Sequence, residues 1–185
     1  MPTVDPNNPD RFLFSTSSRY EFQFGYSRAI RHGRVVRVAG TAGIGPDGQV
    51  VSDDVIDQMR AALQTMRDAL ADLGCGLGDV IMTRIYVKNT SDIDGVAVIH
   101  GETFRDIRPA TTIVRVGEFI DPKIHVEIEA EAVYGGADAK KLTAFASSSP
   151  ERPDRSPTRS CRASPQARCS GPRPRSTCAS RTSRR

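Results

Sequence analysis

A row of carboxylates on one strand is the feature of this sequence best suited to chemistry. Within Ile124–Val133, apolar residues alternate with Glu127, Glu129 and Glu131, so the three acids share one face of a half-buried strand. Like charges on alternate residues repel one another, which raises the pKa of at least one of them. We take Glu127 as the candidate general base. The alternative is a solvated or inter-subunit row of carboxylates without a catalytic role.

A second strand, Ile107–Val114, carries a cation and a hydroxyl close together. We expect it to lie beside Val126–Ala130 as a neighbouring strand near the end of the domain. Arg108, which precedes Pro109, can bind carbonyls at the turn or the anionic end of a ligand. Thr111 lies three residues further on, about 10 Å along an extended chain. Both are candidate ligand-binding residues.

The other polar residues give weaker indications. Tyr26 follows a glycine where the chain enters a strand, which suits either packing or contact with a ligand. His32, His100 and His125 have no spacing that indicates a shared metal ion. No glycine loop is followed by the Lys-Ser/Thr pair of a phosphate-binding motif. The sequence therefore predicts neither a metal nor a cofactor.

The elements that position these groups follow the order strand, strand, helix, strand, helix, strand, strand. This pattern predicts an α+β domain with a mixed sheet and two helices on one face. A helix capped by Ser52 is expected to end at Gly74, and a second one to begin at Asp92. The predicted strands are Arg28–Arg31, Val35–Ala39, Val80–Val87, Thr111–Val116 and Ile124–Val133.

The face opposite the helices has no predicted cover. We expect it to hold the carboxylate row and His125 beside Val80, Met82 and Tyr86. An apolar sheet face needs a partner, so the sequence predicts an oligomer formed through this face.

Charge divides the chain into a body and a tail. Residues 1–136 hold 14 Lys+Arg and 19 Asp+Glu, whereas residues 137–185 hold 12 and 3. The basic Ser/Pro/Arg-rich tail has no apolar periodicity, which predicts a disordered or non-native extension, with a basic arm for anionic partners as the alternative. Prolines and a Ser/Thr cluster predict an irregular lead-in over residues 1–20. Residues 21–136 are expected to form one folded domain.

Cysteine usage indicates a reducing compartment. Only Cys75 lies in the body, and the spacing of the four cysteines fits neither a disulfide framework nor a zinc site. No apolar run approaches the length of a membrane span, and the N-terminus lacks the pattern of a signal peptide. We therefore expect a cytoplasmic protein with no membrane partner.

Five stretches of the body together resemble the YjgF/RidA family. The resemblance spans roughly residues 20–134, and its Arg-Pro-Ala-Thr-Thr and Val-Glu-Ile-Glu-Ala signatures are specific in this combination and order. The five stretches are Gly25–Ala29, Ala39–Thr41, His100–Phe104, Ile107–Val114 and Val126–Ala130.

The resemblance implies a chorismate-mutase-like fold and a homotrimer with small-molecule clefts between its subunits. Active members of the family hydrolyse reactive enamines and imines, such as 2-aminoacrylate, to keto acids and ammonia. Glu127 falls on the family's acidic residue that positions or activates water, and Tyr26 on its cleft tyrosine. Ala39, Gly40 and Ile113 fall on other positions that line the cleft.

One departure from the family pattern concerns the residue that binds the substrate carboxylate. The family has an arginine directly after the Pro-Ala pair, and this chain has Thr111 there. Arg108, or Arg28 and Arg84 of a neighbouring subunit, are the candidate replacements. Loss of the charged partner of a buried carboxylate costs roughly 2–5 kcal/mol, so we expect weak binding of amino-acid-derived enamines.

Three functions fit this sequence. The first is an enamine/imine deaminase-type hydrolase, including one whose substrate lacks the usual carboxylate. The second is a non-enzymatic trimer that binds a metabolite in the same cleft. The third is an RNA-binding or RNA-cleaving protein, since members of the family are sometimes labelled endoribonucleases. The acidic body, without a basic stripe and interleaved aromatics, opposes the third.

Overall fold

The sheet of this protein has seven strands, and two long helices pack against one of its faces. The computed structural model describes residues 2–16 and 18–135. Its strands are β1 (Thr3–Asp5), β2 (Asn8–Phe14), β3 (Ala29–His32), β4 (Val35–Ala42), β5 (Val80–Val87), β6 (Ala110–Arg115) and β7 (Val126–Val133). Its helices are α1 (Arg19–Phe24), α2 (Val55–Asp72) and α3 (Ile93–Phe104). The tail predicted for residues 137–185 lies outside the described residues.

The carboxylate row lies in the interior of the sheet, on strand β7. The strand order is β1-β2-β3-β4-β7-β5-β6. Strand β7 pairs antiparallel with β4 and β5, whereas β5 and β6 are parallel and are joined through α3. The expectation that the two motif strands are neighbours is wrong, because β5 lies between β6 and β7. A helical crossover lets β6 add to the far side of β5, and sequence order does not reveal this.

The core lies between the sheet and helices α2 and α3. Side chains of β7 alternate as predicted, with Val126, Ile128, Ala130 and Ala132 buried against the helices. Helix α2 contributes its apolar stripe to the same core, including Met59, Met66 and Leu70.

The cap of helix α2 differs from the prediction by two residues. Asp54 is the N-cap, and its carboxylate accepts hydrogen bonds from the backbone N–H groups of Ile56 (2.7 Å) and Asp57 (3.3 Å). Ser52 instead accepts from the Asp54 N–H at 3.0 Å and so orders the turn before the helix. Among the described residues, no helix is long and apolar enough to cross a membrane.

The predicted irregular lead-in over residues 1–20 is wrong. Strands β1 and β2 form an antiparallel hairpin that joins the sheet through β3, and α1 begins at Arg19. Pro6 lies in the hairpin turn, and Pro9 lies near the start of β2, where no backbone donor is needed for the ladder. Phe12 and Phe14 pack against the core and supply the apolar surface that holds the hairpin.

The predicted faces of β5 also need a correction at its start. Val80 was expected beside Met82 and Tyr86 on the uncovered face. The pairing of β5 with β7 shifts register between Val80 and Met82, so Val80 turns into the core at 3% exposure and Ile81 is 53% exposed. A bulge adds one residue and inverts the alternation before it, which a simple two-residue period misses.

Candidate functional site

Glu127 lies on the uncovered face of the sheet, directly over a bulge in the neighbouring strand. The pairing of β4 with β7 shifts register between Val38 and Thr41, which places Ala39 and Gly40 in the irregular segment. A Cβ added at Gly40 would lie 2.8 Å from Oε2 of Glu127. Only glycine at this position lets the carboxylate lie so close to the backbone of β4.

The side chain of Arg28 ties this bulge to Tyr26. Its Nη1 donates to the Gly40 carbonyl oxygen and also lies 3.4 Å from Oγ1 of Thr41. Its Nη2 donates to the Tyr26 hydroxyl oxygen at 3.2 Å. The structure therefore brings Tyr26, Ala39, Gly40 and Glu127, all predicted as site residues, into one neighbourhood around Arg28. The sequence pointed to Arg28 only as a contribution from another subunit.

A buried carboxylate that the sequence analysis missed holds Arg28 in place. Glu21 of α1 is 4% exposed, and its Oε1 lies 3.4 Å from Nε of Arg28. The carboxylate also accepts from the Ser15 hydroxyl, the Thr16 backbone N–H at 3.0 Å and the Thr16 hydroxyl at 2.6 Å. The only sequence signal was an acid in the first turn of a short helix seven residues before an arginine.

The three carboxylates of the row differ in their partners. Nη1 of Arg84 lies 3.1 Å from Glu131 and 3.5 Å from Glu129, and the Tyr86 hydroxyl donates to Glu129 at 3.2 Å. Within the described residues, the Glu127 carboxylate has no hydrogen bond or ion pair of its own. Glu127 is thus the member of the row that is free to bind a water molecule or a ligand.

Burial is the main cause of an altered pKa at Glu127. Loss of solvent raises the pKa of its carboxyl, the positive charge of Arg28 opposes this rise, and the negative charge of Glu129 adds to it. Repulsion along the row, which the sequence suggested as the main cause, is the smallest of the three. A carboxylate with a raised pKa is a stronger base than an ordinary glutamate, which suits the role of a general base.

Thr111 and Ile113 lie in a different part of the subunit. Thr111 is on the edge strand β6, and its hydroxyl is 2.9 Å from that of Thr83, which faces the helices. Glu127 pairs with Tyr86 on the other face, and β5 separates the two strands. Ile113 packs against the core beside Ile85. Within one subunit, Thr111 and Ile113 therefore do not lie near Glu127.

The Thr111 hydroxyl ends a chain of hydrogen bonds that begins at His100. The Thr111 hydroxyl donates its one proton to the Pro109 carbonyl oxygen at 3.1 Å, so in its contact with Thr83 it accepts. The Thr83 hydroxyl has then used its own proton, so it accepts from Nε2 of His100 at 3.0 Å. Burial lowers the pKa of His100, which favours the neutral ring. The Thr111 hydroxyl is consequently engaged within its own subunit.

Arg108 lies after helix α3, on the connection to β6, in a left-handed conformation. Its φ is 54°, and its backbone N–H donates to the Phe104 carbonyl oxygen at 2.8 Å. A non-glycine residue in this region is uncommon, and here it lies directly before Pro109, which disfavours continuation of the helix. Arg108 lies on the α3–β6 connection, and one subunit does not bring it to Glu127.

Comparison with known proteins places the chain among proteins of one family. The family model described as Endoribonuclease L-PSP matches residues 16–134. The uncharacterized protein SCO2049 of Streptomyces coelicolor is 36% identical over 124 residues, which are 67% of this chain and 92% of that protein. The human protein named 2-iminobutanoate/2-iminopropanoate deaminase is 31% identical over 112 residues, which are 60% of this chain and 80% of the human protein.

A solved structure extends the likeness to the fold. Rv2704 from Mycobacterium tuberculosis, described as a member of the YjgF/YER057c/UK114 family, has a TM-score of 0.61 and 43% identity to this protein. The match covers 66% of this chain and 98% of that one. The family model, the related sequences and this likeness of fold together show that the chain belongs to the YjgF/RidA family.

Proposed function

We propose that this protein hydrolyses imines and enamines to carbonyl compounds and ammonia in a cleft shared between the subunits of a homotrimer. The observation that carries the proposal is the carboxylate of Glu127, which lies over Gly40 with no hydrogen-bond partner among the described residues, close to Tyr26 and Arg28. The relative named 2-iminobutanoate/2-iminopropanoate deaminase supports the reaction class.

The reaction needs one group that moves protons and one that orients the substrate nitrogen. In R₂C=NH + H₂O → R₂C=O + NH₃, Glu127 takes a proton from water as the water oxygen bonds to the imine carbon. It returns this proton to the nitrogen, which gives a carbinolamine. Glu127 then moves the hydroxyl proton to the nitrogen, the C–N bond breaks and ammonia leaves. The Tyr26 hydroxyl donates a hydrogen bond to the nitrogen in the imine and in the carbinolamine, until the nitrogen is protonated for departure.

A cleft within one subunit would lack its second wall. Glu127 lies on the uncovered sheet face, whereas Thr111 and Ile113 belong to the edge strand β6. In the proposed trimer, the β6 edge of one subunit lies against the Glu127 face of the next. This arrangement also covers the apolar groups on that face, such as the exposed side chain of Ile81.

The preferred substrate in this proposal has no carboxylate at the β6 end of the cleft. The family resemblance expects an arginine where this chain has Thr111, and the Thr111 hydroxyl is engaged with Pro109 and Thr83. A neutral hydroxyl cannot replace a guanidinium that pairs with a carboxylate, and the difference is worth roughly 2–5 kcal/mol. Neutral imines are therefore expected to react faster than 2-iminopropanoate.

Ammonia release from freshly generated imines tests the proposal. We expect Glu127→Gln to lower kcat/KM by about 10²–10⁴-fold, the usual contribution of a general base. Glu131→Gln is the matched control, since Glu131 lies on the same strand face but is paired with Arg84. Loss of a similar size in both variants, or a wild-type rate equal to that without protein, would contradict the assignment.

A metabolite-binding protein without turnover is the second candidate. It is favoured by the engagement of Thr111 within its own subunit, because the hydroxyl that stands at the family's arginine position is then not available to a substrate carboxylate. In that case a neutral carbonyl compound would raise the melting temperature of the wild type while no imine is hydrolysed.

A further inference from the structure

Arg28 is the most completely bound cation near the candidate site. Its side chain is 11% exposed, and it contacts Glu21, the Gly40 carbonyl, Thr41 and Tyr26. These contacts use all three nitrogens of the guanidinium. An arginine that received the anionic end of a ligand would need a free and accessible edge, so the position of Arg28 does not suit that role.

The contact with Tyr26 fixes which way its hydroxyl donates. A guanidinium has only N–H donors and no acceptor, so the Tyr26 oxygen must accept from Nη2 at 3.2 Å. The Tyr26 proton is then left to point away from Arg28. Since Tyr26 is partly exposed, that proton is available to a ligand in the cleft.

Arg28 and Glu127 both lie against Gly40, so the positive charge of Arg28 is close to the Glu127 carboxylate. Nη1 of Arg28 binds the Gly40 carbonyl, and the Glu127 carboxylate lies against the same residue. The groups that influence the Glu127 charge come from several elements: Arg28 from the segment before β3, Glu129 from β7 and Tyr86 from β5. Arg28 is the one cation among them.

We propose that Arg28 is a positioning residue that, held by the buried carboxylate of Glu21, orients Tyr26 as a hydrogen-bond donor and holds a positive charge beside the Glu127 carboxylate. This inference deepens the proposed hydrolase function and rests on it for its catalytic meaning. The effect of Arg28 on Glu127 can be tested independently of that function, because it concerns the charge state of Glu127 in the folded protein without substrate.

Glu21 explains why the cation stays in this position. Removing one partner of a buried ion pair leaves the other charge uncompensated, so the two residues are expected to depend on each other. The serine and threonine donors at Ser15 and Thr16 complete the shell of Glu21. A lysine at position 28 would keep the charge but would lose the planar fork that reaches both Gly40 and Tyr26.

Carbon-13 NMR of the Glu127 carboxyl measures its titration directly. The full-length protein is labelled at glutamate Cδ, and the Glu127 resonance is assigned with Glu127→Gln. We expect Arg28→Gln to raise the pKa of Glu127 and to move the acidic limb of the pH–rate profile by the same amount. Arg28→Lys should leave the pKa closer to the wild type while still lowering kcat, because the bond to Tyr26 is lost.

Two further variants serve as controls, the first for a loss of folding and the second for the position of the removed charge. Glu21→Gln combined with Arg28→Gln removes both buried charges and leaves two amides that can bind each other, and it should raise the pKa of Glu127 like Arg28→Gln. Arg84→Gln removes a guanidinium from the same sheet face that pairs with Glu129 and Glu131, and it should shift Glu127 less than Arg28→Gln does.

The outcomes separate this inference from the function on which it rests. A Glu127 titration that is unchanged in Arg28→Gln and in the double variant, or a shift of equal size in Arg84→Gln, would overturn the role of Arg28, whether or not the wild type hydrolyses imines. Failure of the wild type to release ammonia from any imine would reject the hydrolase function, and the titration result would still stand.

Discussion

Three glutamates at alternate positions of one strand have three different environments. Arg84 forms ion pairs with Glu131 and Glu129, and Tyr86 adds a hydrogen bond to Glu129. Glu127 lies over Gly40, where burial raises the pKa of its carboxyl. At the scale of residues, the identity of the partner decides which carboxylate is free for chemistry.

The raised pKa of Glu127 has a consequence for stability. Its carboxyl binds a proton more tightly in the folded state than in the unfolded state, so ionisation of Glu127 destabilises the fold as pH rises through the native pKa. We expect Glu127→Gln to melt at a higher temperature than the wild type at pH 7–8. The difference should shrink as pH falls below the ordinary glutamate value of 4.5, where the wild-type carboxyl is protonated.

Thermal melts of both proteins between pH 4 and pH 8 measure this difference. Glu131→Gln is again the control, because it removes the partner of Arg84 and should not stabilise the protein at pH 7. A Glu127→Gln variant that is less stable than the wild type at every pH would contradict the assignment of a burial penalty to Glu127.

At the scale of elements, the bulge in β4 is the device that places the site. It turns the chain between Val38 and Thr41, exposes the Gly40 carbonyl to Arg28 and makes room for Glu127. Bulges often lie next to active sites because they redirect side chains and backbone groups locally. The close approach of the Glu127 carboxylate to this segment thus depends on the absence of a side chain at Gly40.

Gly40→Ala should separate activity from stability. The added Cβ meets the end of the Glu127 side chain, which can move, so we expect a loss of about 1 kcal/mol in unfolding free energy, at the low end of overpacking effects. The displaced carboxylate should lower ammonia release by at least about tenfold, the equivalent of one lost hydrogen bond.

The matched control for Gly40→Ala is Gly101→Ala in helix α3, where a Cβ meets no atom within 4 Å. This change should raise helix stability by about 0.5–1 kcal/mol and leave ammonia release unchanged. Equal losses of activity in both variants would contradict the role of the bulge, as would full activity in Gly40→Ala.

The sequence predicted elements with a clear period better than it predicted their arrangement. The strand Val80–Val87 has the predicted bounds, and the alternation along β7 correctly separates the core from the acidic face. The β1–β2 hairpin was missed because its prolines suggested a loop, although they lie at positions that need no donor. The bulges near Val80 and Gly40 were missed because each depends on pairing with a strand far away in sequence.

The candidate site was predicted only in part, for the same reason. Resemblance to a family indicated Glu127, Tyr26 and Gly40, which do lie together. Glu21 gave no signal, because its importance comes from burial beside Arg28 rather than from a motif. The series of hydrogen bonds from His100 to Thr111 was not predicted either, because it links three elements that only the fold brings together.

At the scale of the whole molecule, the proposal requires two subunits for each cleft. One subunit offers Glu127 on an uncovered sheet face and Thr111 on a separate edge strand. A ring of three copies joins each face to the next edge and gives three equal clefts. In the proposed trimer, neither wall of the cleft is sufficient without the other, and one chain does not supply both.

Mixed trimers show whether one cleft needs two subunits. Subunits with Glu127→Gln and subunits with Thr111→Trp are co-expressed with different affinity tags, and trimers that contain both are purified and assayed for ammonia release from a neutral imine. Each variant alone should form an inactive trimer, the first without its base and the second with its cleft filled. Circular dichroism and light scattering confirm that both parents are folded and trimeric.

Every mixed ring contains one cleft with a wild-type face from one subunit and a wild-type edge from the next. We therefore expect mixed trimers to recover about one third of the wild-type rate, as the cyclic symmetry requires. Mixed trimers that stay as inactive as their parents, while the wild type is active, would contradict a cleft shared between subunits.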